Sequence, residues 1–165
     1  MNEGVEPRPW RVLVVCKGNV CRSPFAEALL NTFGAGHVVA RSKGTRSWHN
    51  GGPANATAIR VASERGYDLS HHVAHEATEA DLLWADEVLA VDRETLDCLA
   101  TRLGISRRET VRFLMPNGTD VPDPYKQSDE EFHRAFAIIE EGVERYLTDM
   151  REKLTASNGP PAAAC

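Results

Sequence analysis

The sequence predicts an α/β fold, a doubly wound, four-stranded parallel sheet with helices on both faces. Short apolar runs rich in β-branched residues are typical of strands buried on both sides. Longer segments with helical spacing alternate with these runs, and parallel strands need such crossover connections. The chain has 165 residues, which is enough for one domain with its own core.

The first predicted strand and helix have clear signals. Residues 11–16 are almost wholly apolar, as expected of a buried strand. Ser23 and Pro24 begin the following helix, with Ser23 as its cap and proline in the first turn. Gly34 ends this helix. Its predicted apolar face is formed by Ala26, Leu29, Leu30 and Phe33.

The next elements follow the same two patterns. The strands are short valine-rich or leucine-rich runs, and the helices carry apolar residues at helical spacing, such as Ile59 and Ala62. Gly66 and Gly104 stand where two of these helices end. In chain order we predict a strand over 37–41, helices over 55–65 and 79–84, a strand over 87–91, a helix over 93–103 and a strand over 111–114.

The last helix combines a start signal with a long apolar face. Residues 128–131, Ser-Asp-Glu-Glu, match a capping box. The apolar residues at helical spacing are Phe132, Phe136, Ile139, Val143, Leu147 and Met150. We therefore predict one domain over residues 11–154, with a flexible leader at 1–10 and a flexible tail at 155–165.

Composition excludes several classes of protein. The net charge is −5, so general electrostatic binding to nucleic acid is not expected. Mean hydropathy is −0.37, and the sequence has no apolar run of about 20 residues, so no membrane partner is expected. The N-terminus lacks the pattern of a signal peptide, and four cysteines are too few for a disulfide framework. We expect a cytoplasmic protein with reduced thiols.

The segment after the first strand contains the candidate reactive and phosphate-binding residues. Cys16 falls at the carboxyl end of that strand, where ligands bind in sheets of this class. Gly18 and Asn19 suit a loop that turns its N–H groups toward one point, and the helix N-terminus adds positive potential. Arg22 adds a planar fork for phosphate oxygens. This setting favours the thiolate of Cys16 and attack on phosphorus, although an inert buried cysteine is the alternative.

The segment 15–27, Val-Cys-Lys-Gly-Asn-Val-Cys-Arg-Ser-Pro-Phe-Ala-Glu, resembles the signature of the low-molecular-weight protein tyrosine phosphatases. Similarity continues at Ser-Lys-Gly-Thr over 42–45, at Trp48 and His49, and at Val-Asp-Arg over 91–93. It ends at Val-Pro-Asp-Pro-Tyr over 121–125, which resembles the acid loop of that family. The resemblance implies the sheet order 2-1-3-4.

The resemblance also implies residue roles. Cys16 is the nucleophile that forms a phosphocysteine, Arg22 is the phosphate clamp and Asp123 is the general acid and base. Ser42 and His72 support the loop through hydrogen bonds. The implied substrate-binding residues are Lys17, Gly18, Asn19, Val20, Cys21, Ser23, Trp48 and Tyr125.

Two further expectations concern thiols and metals. The resemblance implies that Cys16 and Cys21 can form a reversible disulfide that protects the nucleophile. His71, His72 and His75 form a cluster, but no other residues complete a metal set at recognisable spacing. The implied chemistry requires neither a metal nor a cofactor.

Several functions remain open at this stage. The substrate is a phosphotyrosine protein, such as a bacterial tyrosine kinase, or a phosphorylated small molecule. An arsenate reductase on the same scaffold would need further cysteines, and Cys98 is solitary in the middle of the chain. A non-catalytic phosphate-binding module is the remaining alternative. Lys17 and Lys126 depart from the family pattern, and either favour polyanionic substrates or are solvated surface residues.

Overall fold

A computed structural model describes residues 7–103 and 105–157. Its four strands form one parallel sheet in the order β2-β1-β3-β4, which confirms the predicted class and order. The strands are β1 (Trp10–Cys16), β2 (Val38–Gly44), β3 (Glu87–Ala90) and β4 (Val111–Phe113).

Helices cover both faces of the sheet. They are α1 (Arg22–Phe33), α2 (Ala56–Glu64), α3 (Glu79–Trp84), α4 (Arg93–Leu103) and α5 (Asp129–Ser157), with a 3-10 helix at Ile105–Thr110. Helices α1, α2 and α5 pack on one face, and α3 and α4 pack on the other. In the described part of the chain, no helix is long and apolar enough to cross a membrane.

Strand β1 is the centre of both packing layers. Val12 and Val14 face the layer of α1, α2 and α5, whereas Leu13 and Val15 face the layer of α3 and α4. All four side chains are fully buried. The apolar run predicted this burial, because a strand covered on both faces needs no polar alternation.

An aromatic cluster joins α1 to α5. The rings of Phe25 and Phe136 are stacked, with centroids 4.0 Å apart, and Phe132 meets Phe136 edge-on at 6.1 Å. These rings are almost completely buried. The cluster fixes α1, and therefore the loop that precedes it, against the longest helix.

Some local predictions about α1 were wrong. The helix begins at Arg22, and its N-cap residue Cys21 makes no side-chain capping bond. Ser23 lies inside the helix, so it is not the cap. The predicted inward residue Phe33 is 49% exposed at the end of α1, and its ring meets that of Tyr67 edge-on with centroids 6.3 Å apart.

Other boundaries differ by a few residues. Strand β2 continues to Gly44, three residues beyond the prediction, while β3 and β4 each end one residue earlier. Ile59 is only half-buried. For the capping box, the Glu131 N–H lies 3.4 Å from the hydroxyl of Ser128.

The predicted leader and tail are only partly described. Residues 1–6 and 158–165 lie outside the described residues, as does Gly104. Strand β1 already includes Trp10, and α5 extends to Ser157.

The side chain of Asn31 covers part of the edge strand β2. Its amide donates to the carbonyl of Ala40 at 3.0 Å, and its carbonyl oxygen accepts from the N–H of Ala40 at 2.8 Å. Both backbone groups on this residue of the outer strand are therefore satisfied by α1.

We expect Phe136→Ala to lower the free energy of unfolding by about 3–5 kcal/mol, because it leaves a cavity against Phe25 and Phe132. Urea unfolding would measure this loss. The control is Leu154→Ala on the same helix, where the side chain is exposed and the change should stay within about 0.5 kcal/mol. Equal losses in the two variants would contradict the packing role of the cluster.

Candidate active site

The site lies where β1 ends and α1 begins. Cys16 is the last residue of β1 and is 2% exposed, and the loop 17–21 carries the chain to the N-terminus of α1. Asn19 has a φ of 58°, a left-handed conformation that asparagine tolerates better than most residues. Gly44 passes so close that an added Cβ would lie 2.7 Å from the carbonyl oxygen of Lys17. The loop is therefore tightly enclosed.

Two hydrogen-bond groups surround the thiol of Cys16. The Oγ of Ser23 lies 3.0 Å from its Sγ, and the N–H of Asn19 donates to Sγ at 3.3 Å. The N-cap residue of α1 is Cys21, and because its side chain makes no capping bond it does not occupy the first N–H groups of the helix. Such N–H groups suit an anion at the helix N-terminus.

Asn19 holds the loop from behind. Its side-chain amide donates to Ser23 Oγ at 2.9 Å and to Ser42 Oγ at 3.0 Å, and its Oδ1 accepts from the N–H of His75. The ring Nε2 of His72 lies 2.8 Å from the carbonyl oxygen of Asn19. Asn19, Ser23, Ser42 and His72 thus form one network behind the nucleophile.

The network continues to the half-buried carboxyl group of Glu27. Ser42 donates to Glu27 Oε2 at 2.5 Å. Burial raises the pKa of Glu27, although the hydrogen bond from Ser42 acts in the opposite direction. Burial also lowers the pKa of His72, which favours a neutral ring. His71 is highly exposed, and its Nε2 lies 3.8 Å from Asp68 Oδ2.

Arg22 is a buried cation, 2% exposed. Its Nη1 donates to Asp92 Oδ2 at 2.7 Å and to the carbonyl oxygen of Val121 at 2.9 Å. Burial acts to lower the pKa of Arg22, but the charges of Cys16, Asp123 and Asp92 outweigh it and raise the pKa. Its Nη2 lies 3.6 Å from Asp123 Oδ2. The guanidinium therefore lies between Asp92 and Asp123, the predicted general acid.

Asp92 is the anchor of that guanidinium. Besides Arg22, it accepts a hydrogen bond from the N–H of Thr95 at 2.8 Å. Burial acts to raise the pKa of Asp92, but the hydrogen bonds with Thr95 and the charge of Arg22 hold it below its ordinary value. Asp92 is therefore an ionised partner for Arg22 at neutral pH.

Asp123 and two aromatic residues form the outer part of the site. The Asp123 side chain is 46% exposed, and its Oδ1 accepts from the N–H of Tyr125 at 3.2 Å. Trp48 is 64% exposed, and the ring of His49 meets the ring of Tyr125 edge-on with centroids 5.7 Å apart. Trp48 and Tyr125 thus present exposed aromatic surface beside the acid.

These groups line one cleft of about 50 Å³. Its lining residues are Cys16, Lys17, Gly18, Val20, Cys21, Arg22, Trp48, His49, Asp123 and Tyr125. The three predicted catalytic residues are therefore brought together. Of the predicted substrate-binding residues, Asn19 and Ser23 do not line the cleft and instead bond to one another behind it.

Cys21 is buried beside the nucleophile as a free cysteine. Burial raises its pKa, and the charges of Cys16 and Asp123 add to the rise. The Cys21 thiol is therefore neutral at physiological pH.

Sequence reasoning assigned no role to Asp92, His49 or Glu27. Asp92 follows β3 by two residues, and its place near the carboxyl end of a parallel strand could have indicated it. His49 and Glu27 carried no separate signal, since their contacts depend on how distant loops meet.

The family model and the related sequences that match this chain all indicate the same family. Residues 11–156 match the family model described as low molecular weight phosphotyrosine protein phosphatase. The chain is 37% identical over 163 residues to low molecular weight protein-tyrosine phosphatase A of Mycobacterium tuberculosis, covering 92% of this chain and 98% of that protein. It is 30% identical over 152 residues to the phosphatase YfkJ of Bacillus subtilis, covering 86% and 96%.

Solved structures agree in fold. The crystal structure of YfkJ from Bacillus subtilis has a TM-score of 0.82 at 28% identity and covers 90% of this chain and 98% of its own. Vibrio vulnificus Wzb in complex with benzylphosphonate has a TM-score of 0.79 at 30% identity and covers 85% and 98%. The chain belongs to the low molecular weight phosphotyrosine protein phosphatases, which are phosphoric monoester hydrolases.

Proposed function

We propose that this protein hydrolyses phosphotyrosine on proteins through a phosphocysteine at Cys16. The observation that carries the proposal is the convergence of thiol, guanidinium and carboxyl group in one cleft. The Nη2 of Arg22 lies 3.6 Å from Asp123 Oδ2, and Asn19 N–H and Ser23 Oγ both contact the Sγ of Cys16. A nucleophile, an oxyanion clamp and a proton donor are the parts that the reaction needs.

In the first step, the thiolate of Cys16 attacks phosphorus in line with the tyrosine oxygen. The S–P bond forms and the P–O bond breaks, while protonated Asp123 gives its proton to the departing oxygen. Arg22 and the N–H groups of the loop 17–22 bind the equatorial oxygens. Because Asp92 already fixes Nη1, the guanidinium is preorganised for this task.

In the second step, a water molecule attacks the phosphocysteine. The carboxylate of Asp123 takes the proton from this water, a new O–P bond forms, and the S–P bond breaks. The hydroxyl of Ser23 stabilises the departing thiolate, since Oγ and Sγ are 3.0 Å apart. Phosphate leaves, and Asp123 again carries the proton for the next cycle.

The aromatic surface beside the cleft supports a phenyl phosphate over an aliphatic one. Exposed Trp48 and Tyr125 can stack against the ring of phosphotyrosine. The Vibrio vulnificus neighbour was solved in complex with benzylphosphonate, and this benzyl ligand supports a substrate with an aromatic ring. A phosphorylated metabolite without a ring would leave this surface uncovered.

We expect Cys16→Ser to lose hydrolysis of para-nitrophenyl phosphate and of a phosphotyrosine peptide by at least about 10⁴-fold, because a serine hydroxyl stays protonated. Assays with EDTA present measure turnover, and vanadate binding checks that the variant is folded. Cys98→Ser on α4 is the control and should keep full activity. Residual turnover in Cys16→Ser close to the wild type would overturn the proposed mechanism.

We expect Asp123→Ala to slow hydrolysis of the phosphotyrosine peptide by about 10²–10⁴-fold, because the tyrosine oxygen must be protonated as it leaves. The loss should be smaller for para-nitrophenyl phosphate, whose leaving group is stable as an anion. Steady-state rates on both substrates give the comparison. An equal loss on the two substrates would argue against Asp123 as the proton donor.

We expect Asp92→Asn to reduce kcat/KM by about 10-fold and also to lower the melting temperature, because asparagine keeps an acceptor but removes the charge that orients and compensates the buried Arg22. Asp120→Asn is the matched control. Its side chain accepts from the N–H of Arg93 and does not touch Arg22. Equal activity in the two variants would show that the Asp92 charge does not position the clamp.

A further inference from the structure

Three cations stand beside the two exposed aromatic rings of the site. Lys17 Nζ lies 5.6 Å from the ring centroid of Trp48, and Arg46 Cζ lies 6.0 Å from the same ring. Lys126 Nζ lies 5.6 Å from the ring centroid of Tyr125. We call Lys17, Arg46 and Lys126 the cationic rim. They come from three separate segments of the chain, although the whole protein carries a net charge of −5.

The charges of the rim are largely available to a ligand. Lys17 pairs with Glu94 at 3.2 Å, and the side chain of Glu94 is 63% exposed. Among the residues that the structure describes, neither Arg46 nor Lys126 has a carboxylate within 4.0 Å. A ligand with negative charge therefore meets two unpaired cations and one weakly held cation at the mouth of the cleft.

We propose that the cationic rim selects phosphotyrosine segments with acidic residues on both sides of the phosphotyrosine. The inference rests on the proposed function, since it assumes that the substrate ring lies against Trp48 and Tyr125. With the ring there, the flanking residues of the peptide pass over the two aromatic side chains and reach the cations beside them. Carboxylates at those positions gain attraction that neutral side chains lack.

An extended peptide fits the arrangement better than a small metabolite. The three cations belong to the loop after β1, the segment after β2 and the residue that follows Tyr125. Two of them lie beside Trp48 and the third lies beside Tyr125, so a peptide that continues past the substrate ring in both directions can meet both groups. The rim therefore indicates a polypeptide substrate.

Glu94 acts against this selection. Its carboxylate competes for Lys17 and repels acidic residues of the substrate. Lys17 and Glu94 therefore give two variants with opposite expected effects. Removal of Lys17 should weaken the preference for acidic peptides, and removal of the Glu94 charge should strengthen it.

The test compares kcat/KM for two phosphotyrosine peptides that differ only in having glutamate or glutamine beside the phosphotyrosine. We expect the wild type to prefer the glutamate peptide by at least about 5-fold. Lys17→Gln, Arg46→Gln and Lys126→Gln should each reduce that ratio by about two- to five-fold, and Glu94→Gln should increase it. The ratio should also fall as salt is raised to about 0.3 M.

The matched control is Lys153→Gln on α5. This exposed lysine lies near Glu87, at the amino end of β3 and away from the cleft, so its loss changes net charge equally. The ratio of kcat/KM for the two peptides in Lys153→Gln should equal the ratio in the wild type. A ratio near one in the wild type, or an equal fall in Lys153→Gln, would overturn the role of the rim.

The outcomes separate this inference from the proposed function. If both peptides are hydrolysed in a Cys16-dependent way and the ratio of their kcat/KM values is near one, the role of the cationic rim is overturned and the proposed phosphatase function stands. Turnover of neither peptide, with a small polyanionic phosphomonoester hydrolysed instead, overturns the peptide substrate itself.

Discussion

The buried guanidinium of Arg22 is the interaction on which this end of the molecule depends. A cation taken out of water costs several kcal/mol unless acceptors replace its hydration. Asp92 after β3 and the carbonyl group of Val121 supply them, and Asp123 adds a second carboxylate nearby. The need to satisfy one cation therefore draws the ends of α1, β3 and the acid loop together. The same arrangement places Cys16, Arg22 and Asp123, the proposed nucleophile, clamp and acid, around one cleft.

Rigidity behind Cys16 comes from short polar side chains in addition to the apolar packing of α1. Asn19 turns the loop through a left-handed conformation and then bonds to Ser23 and Ser42. Ser42 passes the chain of hydrogen bonds to Glu27. Because Asn19, Ser23 and Ser42 are buried and partnered, the loop is held in one shape before substrate arrives, as electrostatic stabilisation of an anion requires.

Much of the fold follows from local patterns in the sequence. The bounds of α3 and α4 agree with the prediction, because their apolar spacing and end signals are local. The cap at Ser23 was wrong because its hydroxyl is used by the thiol and by Asn19, which lie outside the helix. A local sequence pattern predicts one role for a residue, such as capping a helix, but tertiary contacts can give that residue a different role.

Cys16 and Arg22, two of the proposed catalytic residues, were predictable for a different reason from their supports. They flank one short loop, so their spacing along the chain already implies proximity. Asp92 and His49 act through contacts with residues that lie far away in sequence, namely Arg22 and Tyr125. Only the assembled sheet brings such pairs together, and no local pattern reports them.

The contact between Asn31 and Ala40 has a consequence for how the protein behaves at high concentration. An outer strand offers a row of donors and acceptors to which a strand from another molecule can add, and this is a route to aggregation. The amide of Asn31 presents the same donor and acceptor pair that an added strand would bring. One side chain therefore interrupts the template in the middle of β2. The molecule gains colloidal protection at its edge without another strand or a change in net charge.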